Sequence, residues 1–290
     1  MLSLHTNNAS LSAQNSIAKT QSQLSTSMTR LSTGYRINSA MDDAAGLQIA
    51  TRLKAQTSGM TVAMSNTQNS TSMLQTAEGA FGEVTNMLVR MKDLATQAAD
   101  ASSNAQDKTA MQAEYNALGQ ELYNVMTNTT FGGSLLMGNG TGTTGTLSAA
   151  MTFQIGASST ENMTIDVKTN MVTLSASLLA ATKNFAAAAS TGASELTATA
   201  NATIDLLATA INDVGTVRSA LGAAANRLDH INSNLSNIAT NTKAATGRIM
   251  DVDFATESSN MTSSQMLLQA GTAMLKQSNS MSSMVMSLLQ

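Results

Sequence analysis

The chain has 290 residues, a formal net charge of −3, and no cysteine, proline or tryptophan. Charged residues make up 11% of it, well below the roughly 25% of an average globular chain. The absence of cysteine excludes a disulfide framework and any cysteine-ligated metal site. A surface built from small uncharged residues repels its own copies weakly, so the composition favours close packing between identical chains.

The first segment places apolar residues at helical spacing among serine, threonine, asparagine and glutamine. Those polar side chains compete with the helical backbone for hydrogen bonds, so we expect a weak helix that needs a partner. Gly34 allows the chain to turn, and Ser39 with Asp42 three residues later predicts the cap of a new helix. The apolar positions of this segment are Leu4, Leu11, Ile17, Leu24, Met28 and Leu31.

A heptad pattern then continues for more than five repeats, which is typical of a coiled-coil seam. It predicts one helix about 60 Å or more in length. The seam consists of Met60, Thr67, Leu74, Phe81, Leu88 and Ala95, each followed three residues later by Ala63, Ser70, Ala77, Val84, Met91 and Ala98.

The middle of the chain changes character twice. A polar turn is expected between residues 99 and 107, followed by a shorter helix through residues 111–125. A glycine-rich loop begins at Phe131. Residues 151–156 and 162–168 alternate apolar and polar side chains with period two, which predicts a β-hairpin.

Residues 171–194 are rich in alanine and are interpreted as helix, and a second heptad seam follows. Two matching seams separated by a hairpin predict a mainly α fold. We expect a long antiparallel coiled-coil-like helical rod with a small β-hairpin region at the tip. The second seam consists of Leu207, Val214, Leu221, Leu228 and Leu235, with Ala210, Val217, Ala224, Ile231 and Ile238 three residues on.

The last stretch, residues 248–290, is apolar on one side and almost uncharged on the other. Lys276 is its only ionisable side chain after Asn260. Such a helix needs partners on more than one side, so we expect the N- and C-terminal helices to pair and to contact other copies of the chain. Its apolar line is Leu267, Met274, Met281 and Leu288, with Leu268, Leu275 and Leu289 beside it.

No pattern in the sequence indicates an enzyme, a metal site or a cofactor. His5 and His230 begin no zinc motif, and the acid pairs Asp42–Asp43 and Asp251–Asp253 stand at predicted helix starts, where carboxylates cap the backbone. Nucleic-acid binding is not expected without a basic stripe. No segment is long and apolar enough to insert into a membrane, and we expect no cleavable signal peptide.

Several segments resemble bacterial flagellins. They are LSTGYRINSAMDDAAGLQIATRL (residues 31–53), FGGSLLMG, FQIGA, RIMDVDFATESSNMTSSQMLLQAGTAML (residues 248–275) and the final SLL. The resemblance covers nearly the whole chain, and the length is similar to that of short flagellins, including those of lateral flagella. It implies a structural subunit that polymerises into the flagellar filament for motility. Two alternatives remain open here: a hook–filament junction protein and an enzyme displayed on a filament.

The resemblance also implies two layers. Residues 1–40 and 250–290 would pair as an inner terminal coiled coil, and residues 41–249 would form an outer rod. The outer rod would contain helices at about 41–100, 105–127 and 195–245, with the hairpin and loop region at about 130–170.

Assembly and partners follow from the same resemblance. The subunit would leave the cell through the flagellar export apparatus, escorted by an export chaperone, and assemble under a cap beside hook-associated proteins. Host Toll-like receptor recognition would use Arg90, Leu94 and Glu114. We predict that the terminal apolar stripes carry assembly, namely Leu4, Leu11, Leu24, Leu31, Leu267, Leu268, Leu275, Leu288 and Leu289.

Overall fold

A computed structural model describes residues 7–138, 144–186, 188 and 193–288, with side chains as far as Met281. The fold is mainly α, as predicted, with two small antiparallel hairpins among the described residues. The helices are α1 (Asn8–Thr33), α2 (Ala44–Ala99), α3 (Ala105–Asn128), α4 (Lys168–Ala181), α5 (Glu195–Ala198), α6 (Ala200–Met250) and α7 (Phe254–Leu288), and the strands are β1 (Thr130–Phe131), β2 (Ser134–Leu135), β3 (Met151–Gln154) and β4 (Asn162–Ile165).

The chain divides into two compact units. A terminal unit comprises Met1–Thr57 and Thr240–Gln290, and a central unit comprises Ser58–Ala239. Large apolar side chains fill the core of the central unit, and those with no exposed surface include Phe81, Leu88, Tyr115, Leu122 and Leu174.

The first seam is confirmed at all twelve of its positions, from Met60 to Ala98. Polar members of the seam stay buried because their hydroxyls bond to the helix itself. Thr67 donates to the carbonyl oxygen of Ala63 at 2.8 Å, and Ser70 donates to that of Asn66 at 2.7 Å. The pattern therefore persists through polar residues that need no partner from another helix.

The second seam is confirmed from Leu207 to Leu235. The positions three residues further on are buried only as far as Ala224. Ile231 is half-buried, and Ile238, predicted to continue that line, is exposed. Ala239 is buried instead. A straight helix has 3.6 residues per turn, so a strict seven-residue count drifts off the buried face over several heptads.

The turn between α2 and α3 is closed by a reciprocal cap. The side chain of Asn104 accepts a hydrogen bond from the backbone of Asp107 at 2.8 Å, and the Asp107 carboxylate accepts one from the backbone of Asn104 at 3.3 Å. Two of the unpaired N–H groups at the start of α3 are satisfied in this way.

Two hairpins follow α3. The turn of the β1–β2 hairpin uses Gly132 and Gly133, whose φ angles of +58° and +83° favour glycine. This hairpin was missed, since its strands of two residues show no alternation. The predicted hairpin is confirmed as β3 and β4, which pair Met151 with Ile165 and Gln154 with Asn162.

The second hairpin lies beside α2. A β-carbon built on Gly59 of α2 would lie 2.7 Å from Cβ of Ala157, in the β3–β4 turn. That point is about 60 Å along α2 from its end at Ala99, at about 1.5 Å per residue. The inward side chains Phe153 and Met163 pack on the helical core, because an apolar hairpin face gains more from burial than from projecting into water.

A buried polar network holds the connection between α4 and α6. The Gln112 amide donates from Nε2 to Oε2 of Glu195 at 2.8 Å, and its Oε1 accepts from the backbone of Leu196 at 2.7 Å. The other carboxylate oxygen of Glu195 accepts from the backbone of Lys183 at 2.9 Å. Of the alanine-rich region, residues 171–181 are helical as part of α4, whereas the described residues between Ala181 and α5 are not helical.

In the terminal unit, glycine and aspartate define the helix ends. Gly34 ends α1 with a φ of +75°, which is the turn expected there. Ser39 is not the cap of α2: its backbone donates to Asp42, while Asp43 accepts from the backbone of Gly46 at 2.8 Å. Hydrogen bonds from the backbone N–H groups of Ser39 and Asn38 lower the pKa of Asp42.

The start of α7 is organised by Asp253. Its Oδ2 accepts from the hydroxyl of Thr256 at 2.6 Å, and its Oδ1 accepts from the backbone of Ala255 at 3.1 Å. These two bonds, the first of them the larger cause, lower the pKa of Asp253. The capping role expected of this carboxylate is confirmed.

Candidate assembly surface

Helices α1 and α7 pack along one another, so the terminal helices are paired as predicted. A β-carbon built on Gly271 would lie 2.9 Å from Cγ1 of Ile17. The contact face repeats with alternating steps of three and four residues, as in a coiled coil. Buried or half-buried positions on this face are Ser10, Ala13, Ile17, Thr20, Leu24, Ser27 and Leu31 in α1, and Glu257, Met261, Ser264, Leu268, Gly271, Leu275 and Ser278 in α7.

Polar contacts mark both ends of this pair. At one end the Ser27 hydroxyl donates to Oε1 of the buried Glu257 at 2.5 Å, and Nη1 of Arg30 lies 3.7 Å from Oε2 of the same carboxylate. At the other end the Ser10 hydroxyl donates to Oδ1 of Asn279 at 3.2 Å. Directional bonds at two separated points specify one register for the pair.

The segment after α1 is tied to the segment before α7 by backbone bonds. The N–H of Arg36 donates to the carbonyl oxygen of Met250 at 2.6 Å, and that of Val252 donates to Gly34 at 3.0 Å. The Arg36 guanidinium adds a bond from Nη2 to the carbonyl oxygen of Ile249 at 2.8 Å. The segment that follows α1 and the segment that precedes α7 are therefore bonded to each other, in addition to the packing of the two helices.

The predicted stripe of α7 divides into two faces. Leu268 and Leu275 are half-buried on the side that meets α1. Leu267, Met274 and Met281, seven residues apart, are 60%, 67% and 55% exposed. We call these three residues, together with the exposed neighbour Met266, the outer stripe. Among the residues that the structure describes, this apolar line lies outside the contact face between α1 and α7.

The predicted stripe of α1 divides in the same way. Leu24 and Leu31 are half-buried against α7, whereas Leu11 and Met28 are exposed. Sequence analysis missed Ser27 and Glu257, because only apolar residues were counted in the stripe of α1 and at the start of α7. Alternating steps of three and four residues along the sequence, starting from Ser10, would have identified the contact face of α1.

Three predicted assembly residues cannot be placed on these faces. Leu4 and Leu289 lie outside the described residues. Leu288 is the last residue of α7, and its side chain lies outside the described set.

The candidate receptor residues lie in the central unit. Nη2 of Arg90 in α2 is 2.7 Å from Oε1 of Glu114 in α3, and both side chains are about half exposed. Leu94 is only 2% exposed and belongs to the core. The structure therefore brings Arg90 and Glu114 together at the surface and separates Leu94 from it.

Across the described residues, no group of three or more histidine, cysteine, aspartate or glutamate side chains could hold a metal ion. None of the helices, over the same residues, is long and apolar enough to cross a membrane.

Comparison with known proteins identifies the family. The profile of the bacterial flagellin N-terminal helical region matches residues 4–141, and that of the C-terminal helical region matches residues 204–289. Flagellin A of Vibrio anguillarum is 32% identical over 386 aligned positions that cover 100% of both chains. The chain belongs to the flagellin family. Flagellin of Bacillus subtilis is 35% identical and covers 98% of each chain.

A solved structure supports the fold of this flagellin. A protein from Vibrio parahaemolyticus described as flagellar hook-associated has 18% sequence identity, a TM-score of 0.55, and covers 72% of this chain and 100% of its own. At that identity the likeness concerns the fold alone.

The flagellin family is structural, and this short flagellin is a structural subunit of the flagellar filament. The named relatives are flagellins, so neither a hook–filament junction protein nor a filament-displayed enzyme is favoured.

Proposed function

We propose that this flagellin polymerises through the outer stripe of α7 and the exposed apolar residues of α1, which contact neighbouring copies in the filament. The observation that carries the proposal is the exposure of Leu267, Met274 and Met281 on a helix whose opposite apolar face already packs on α1. Repeated apolar exposure at heptad spacing is the pattern that a further helix covers.

The energetics favour assembly as the step that completes folding of the ends. Burial of apolar surface contributes about 25 cal/mol per Å², while ordering each residue costs about 1–2 kcal/mol. The contact face of α1 and α7 contains serine, threonine, alanine and glycine between its larger apolar residues, so one helix pair buries less apolar surface than a leucine-rich seam would. Burial of the outer stripe by a second copy adds stabilisation only in the polymer, so folding of the terminal unit is linked to assembly.

Within the filament, the paired residues 1–40 and 250–290 would form the inner layer, and residues 41–249 the outer one. The scarcity of charged side chains on the exposed sides of α1 and α7 supports this arrangement, because neighbouring copies then repel one another only weakly.

Seeded polymerisation tests the proposal at a single position. Met274→Gln places an amide in the outer stripe and is expected to raise the critical concentration at least about tenfold, because a buried amide without a partner is costly. Met274→Leu keeps the surface apolar and is the matched control, which should polymerise like the wild type. Equal polymerisation of the two variants, with unchanged helix content by circular dichroism, would exclude the outer stripe as a contact.

Truncation provides an independent test. Deleting residues 278–290 removes the last part of α7 together with the Asn279 contact. We expect a soluble protein that forms no filaments. Normal filaments from this truncation, seen by electron microscopy, would contradict the proposal.

We further propose export through the flagellar apparatus, with a chaperone on the C-terminal segment and with cap and hook-associated proteins as assembly partners. The apolar outer stripe supports the chaperone, since an unassembled subunit needs cover for that surface. A cell lacking the export apparatus should retain the protein inside. Secretion of the full chain from such a cell would contradict this route.

We also propose that a host Toll-like receptor contacts Arg90 and Glu114. Their ion pair is exposed on α2 and α3, whereas the buried Leu94 would act only by supporting α2. Arg90→Ala should reduce receptor activation. Arg218→Ala, which removes another ion pair of the central unit, Arg218 with Glu78 at 3.0 Å, is the matched control. Equal responses to both variants would contradict recognition at Arg90.

A further inference from the structure

The methionines of the central unit and those of the terminal unit differ in their exposure to solvent. The chain has 21 of them and no cysteine, so methionine carries all of its sulfur. Every methionine that the structure describes in the central unit is buried or half-buried. In the terminal unit, five described methionines are exposed, namely Met28, Met41, Met266, Met274 and Met281.

Three of these exposed methionines belong to the outer stripe. Met266 and Met274 are 59% and 67% exposed, and Met281 is 55% exposed. A thioether is the apolar group most readily converted into a polar one by mild oxidants. Hydrogen peroxide transfers one oxygen atom to the sulfur: the O–O bond breaks, an S–O bond forms, the sulfur loses two electrons, and water leaves.

We propose that Met266, Met274 and Met281 are an oxidant-sensitive modification site, at which peroxides convert the free subunit into a form that cannot polymerise. The proposal rests on the proposed function of the outer stripe. Sulfoxide formation places a strong hydrogen-bond acceptor on each of the three side chains. At a dry contact between copies that oxygen lacks a donor, which costs about tenfold or more in affinity for each modified side chain.

The modification is reversible and depends on assembly. Methionine sulfoxide reductases return the sulfoxide to the thioether with two electrons from a pair of external thiols, which become a disulfide while the oxygen leaves as water, so an oxidised subunit remains usable. Contact between copies covers the outer stripe, so these methionines are exposed to peroxide in the free subunit and shielded in the filament. The site therefore acts on subunits before they are incorporated.

The selectivity of oxidation can be measured without reference to assembly. Monomers treated with hydrogen peroxide would be digested, and the sulfoxide fraction at each methionine followed by mass spectrometry over time. We expect Met266, Met274 and Met281 to oxidise with Met41, which is 97% exposed, and at least about tenfold faster than the buried Met91 and Met126. Equal rates at exposed and buried methionines would overturn the proposal.

Seeded polymerisation then tests the consequence. Wild-type monomer is compared before oxidation, after oxidation, and after treatment with methionine sulfoxide reductases. Polymerisation should be lost on oxidation and restored on reduction. A variant with Met266→Leu, Met274→Leu and Met281→Leu should retain more of its polymerisation after peroxide treatment than the wild type does, with the remaining loss due to the exposed Met28 of α1. The control Met41→Leu should remain as sensitive as the wild type.

The outcomes separate the two proposals. If untreated wild type is not extended from seeds, or if Met274→Gln polymerises normally, the proposed function fails. If untreated wild type polymerises and the oxidised form, shown by mass spectrometry to carry the three sulfoxides, polymerises equally well, the oxidation proposal alone fails. Oxidant sensitivity of the triple leucine variant equal to that of the wild type would also overturn it.

Discussion

Gly271 of α7 faces Ile17 of α1 so closely that a β-carbon on the glycine would lie 2.9 Å from Cγ1 of the isoleucine. This contact lies near the middle of the helix pair, between the Glu257 contact and the Asn279 contact. A real β-carbon essentially never comes that close to another carbon, so the two helices approach at this point only because residue 271 has no side chain.

The first prediction concerns this close approach. Gly271→Leu should separate α1 from α7 and destabilise the terminal pair by about 1–3 kcal/mol, as overpacking does elsewhere. Hydrogen exchange of α1 amides provides the measurement, with faster exchange expected in the variant. Unchanged protection of α1 would mean that the helices do not meet at residue 271.

The second prediction uses glycines with open surroundings. No heavy atom lies within 4 Å of a β-carbon built on Gly79 or Gly82 of α2. Alanine at each position should stabilise the central unit by about 0.5–1 kcal/mol, because glycine weakens a helix interior. Thermal unfolding of the monomer measures this gain. Gly59→Ala is the contrasting variant, since its new methyl group would meet Ala157 and should lower stability.

The third prediction concerns the buried carboxylate of the terminal pair. Glu257→Ala leaves the Ser27 hydroxyl without its acceptor and removes the partner of Arg30, whose buried Nε has no hydrogen bond among the described residues. We expect a loss of about 1–3 kcal/mol in pairing. Limited proteolysis of α1 should show faster cleavage. Glu257→Gln retains an acceptor for Ser27, so its rate of cleavage should lie between that of Glu257→Ala and that of the wild type.

The fourth prediction concerns high pH. Burial, and then the negative charge of Glu195, raises the pKa of the Tyr115 phenol above its ordinary value of 10.0. The unfolded chain releases this proton first as pH rises, so the contribution to stability is complete below pH 10 and is lost above it. Tyr115→Phe should remove that alkaline dependence.

The same variant has a cost at neutral pH. Tyr115 donates to the carbonyl oxygen of Ala181 at 2.7 Å, and loss of this bond should lower stability by about 1 kcal/mol. Unfolding by urea at a series of pH values measures both effects. Tyr35→Phe, at an exposed tyrosine, is the control and should keep the alkaline dependence. An unchanged pH profile in Tyr115→Phe would contradict the prediction.

The central seams were predictable because most large apolar side chains of each helix recur on one face. In α2 the positions from Met60 to Ala98 stand among serine, threonine, asparagine and charged residues, so the period leaves a single choice of buried face. The prediction failed at Ile238, where helical drift moved the buried position to Ala239.

The hairpin strands were predictable from their alternation, but the position of the hairpin was not. Alternation concerns neighbouring residues, whereas the contact of Ala157 with Gly59 joins positions almost a hundred residues apart. The buried network of Gln112 and Glu195 escaped prediction for the same reason, because isolated polar residues carry no period.

The sequence by itself determined the mainly α fold, the two central seams and the presence of more apolar surface at the ends than one pair of helices can bury. Only the tertiary structure decided which of the terminal residues face inward, placing Leu268 against α1 and leaving Leu267 exposed. Helical period marks the lines of apolar residues along a helix. Which line is buried depends on where the partner helix docks, and contacts such as Gly271 with Ile17 and Ser27 with Glu257 determine that docking.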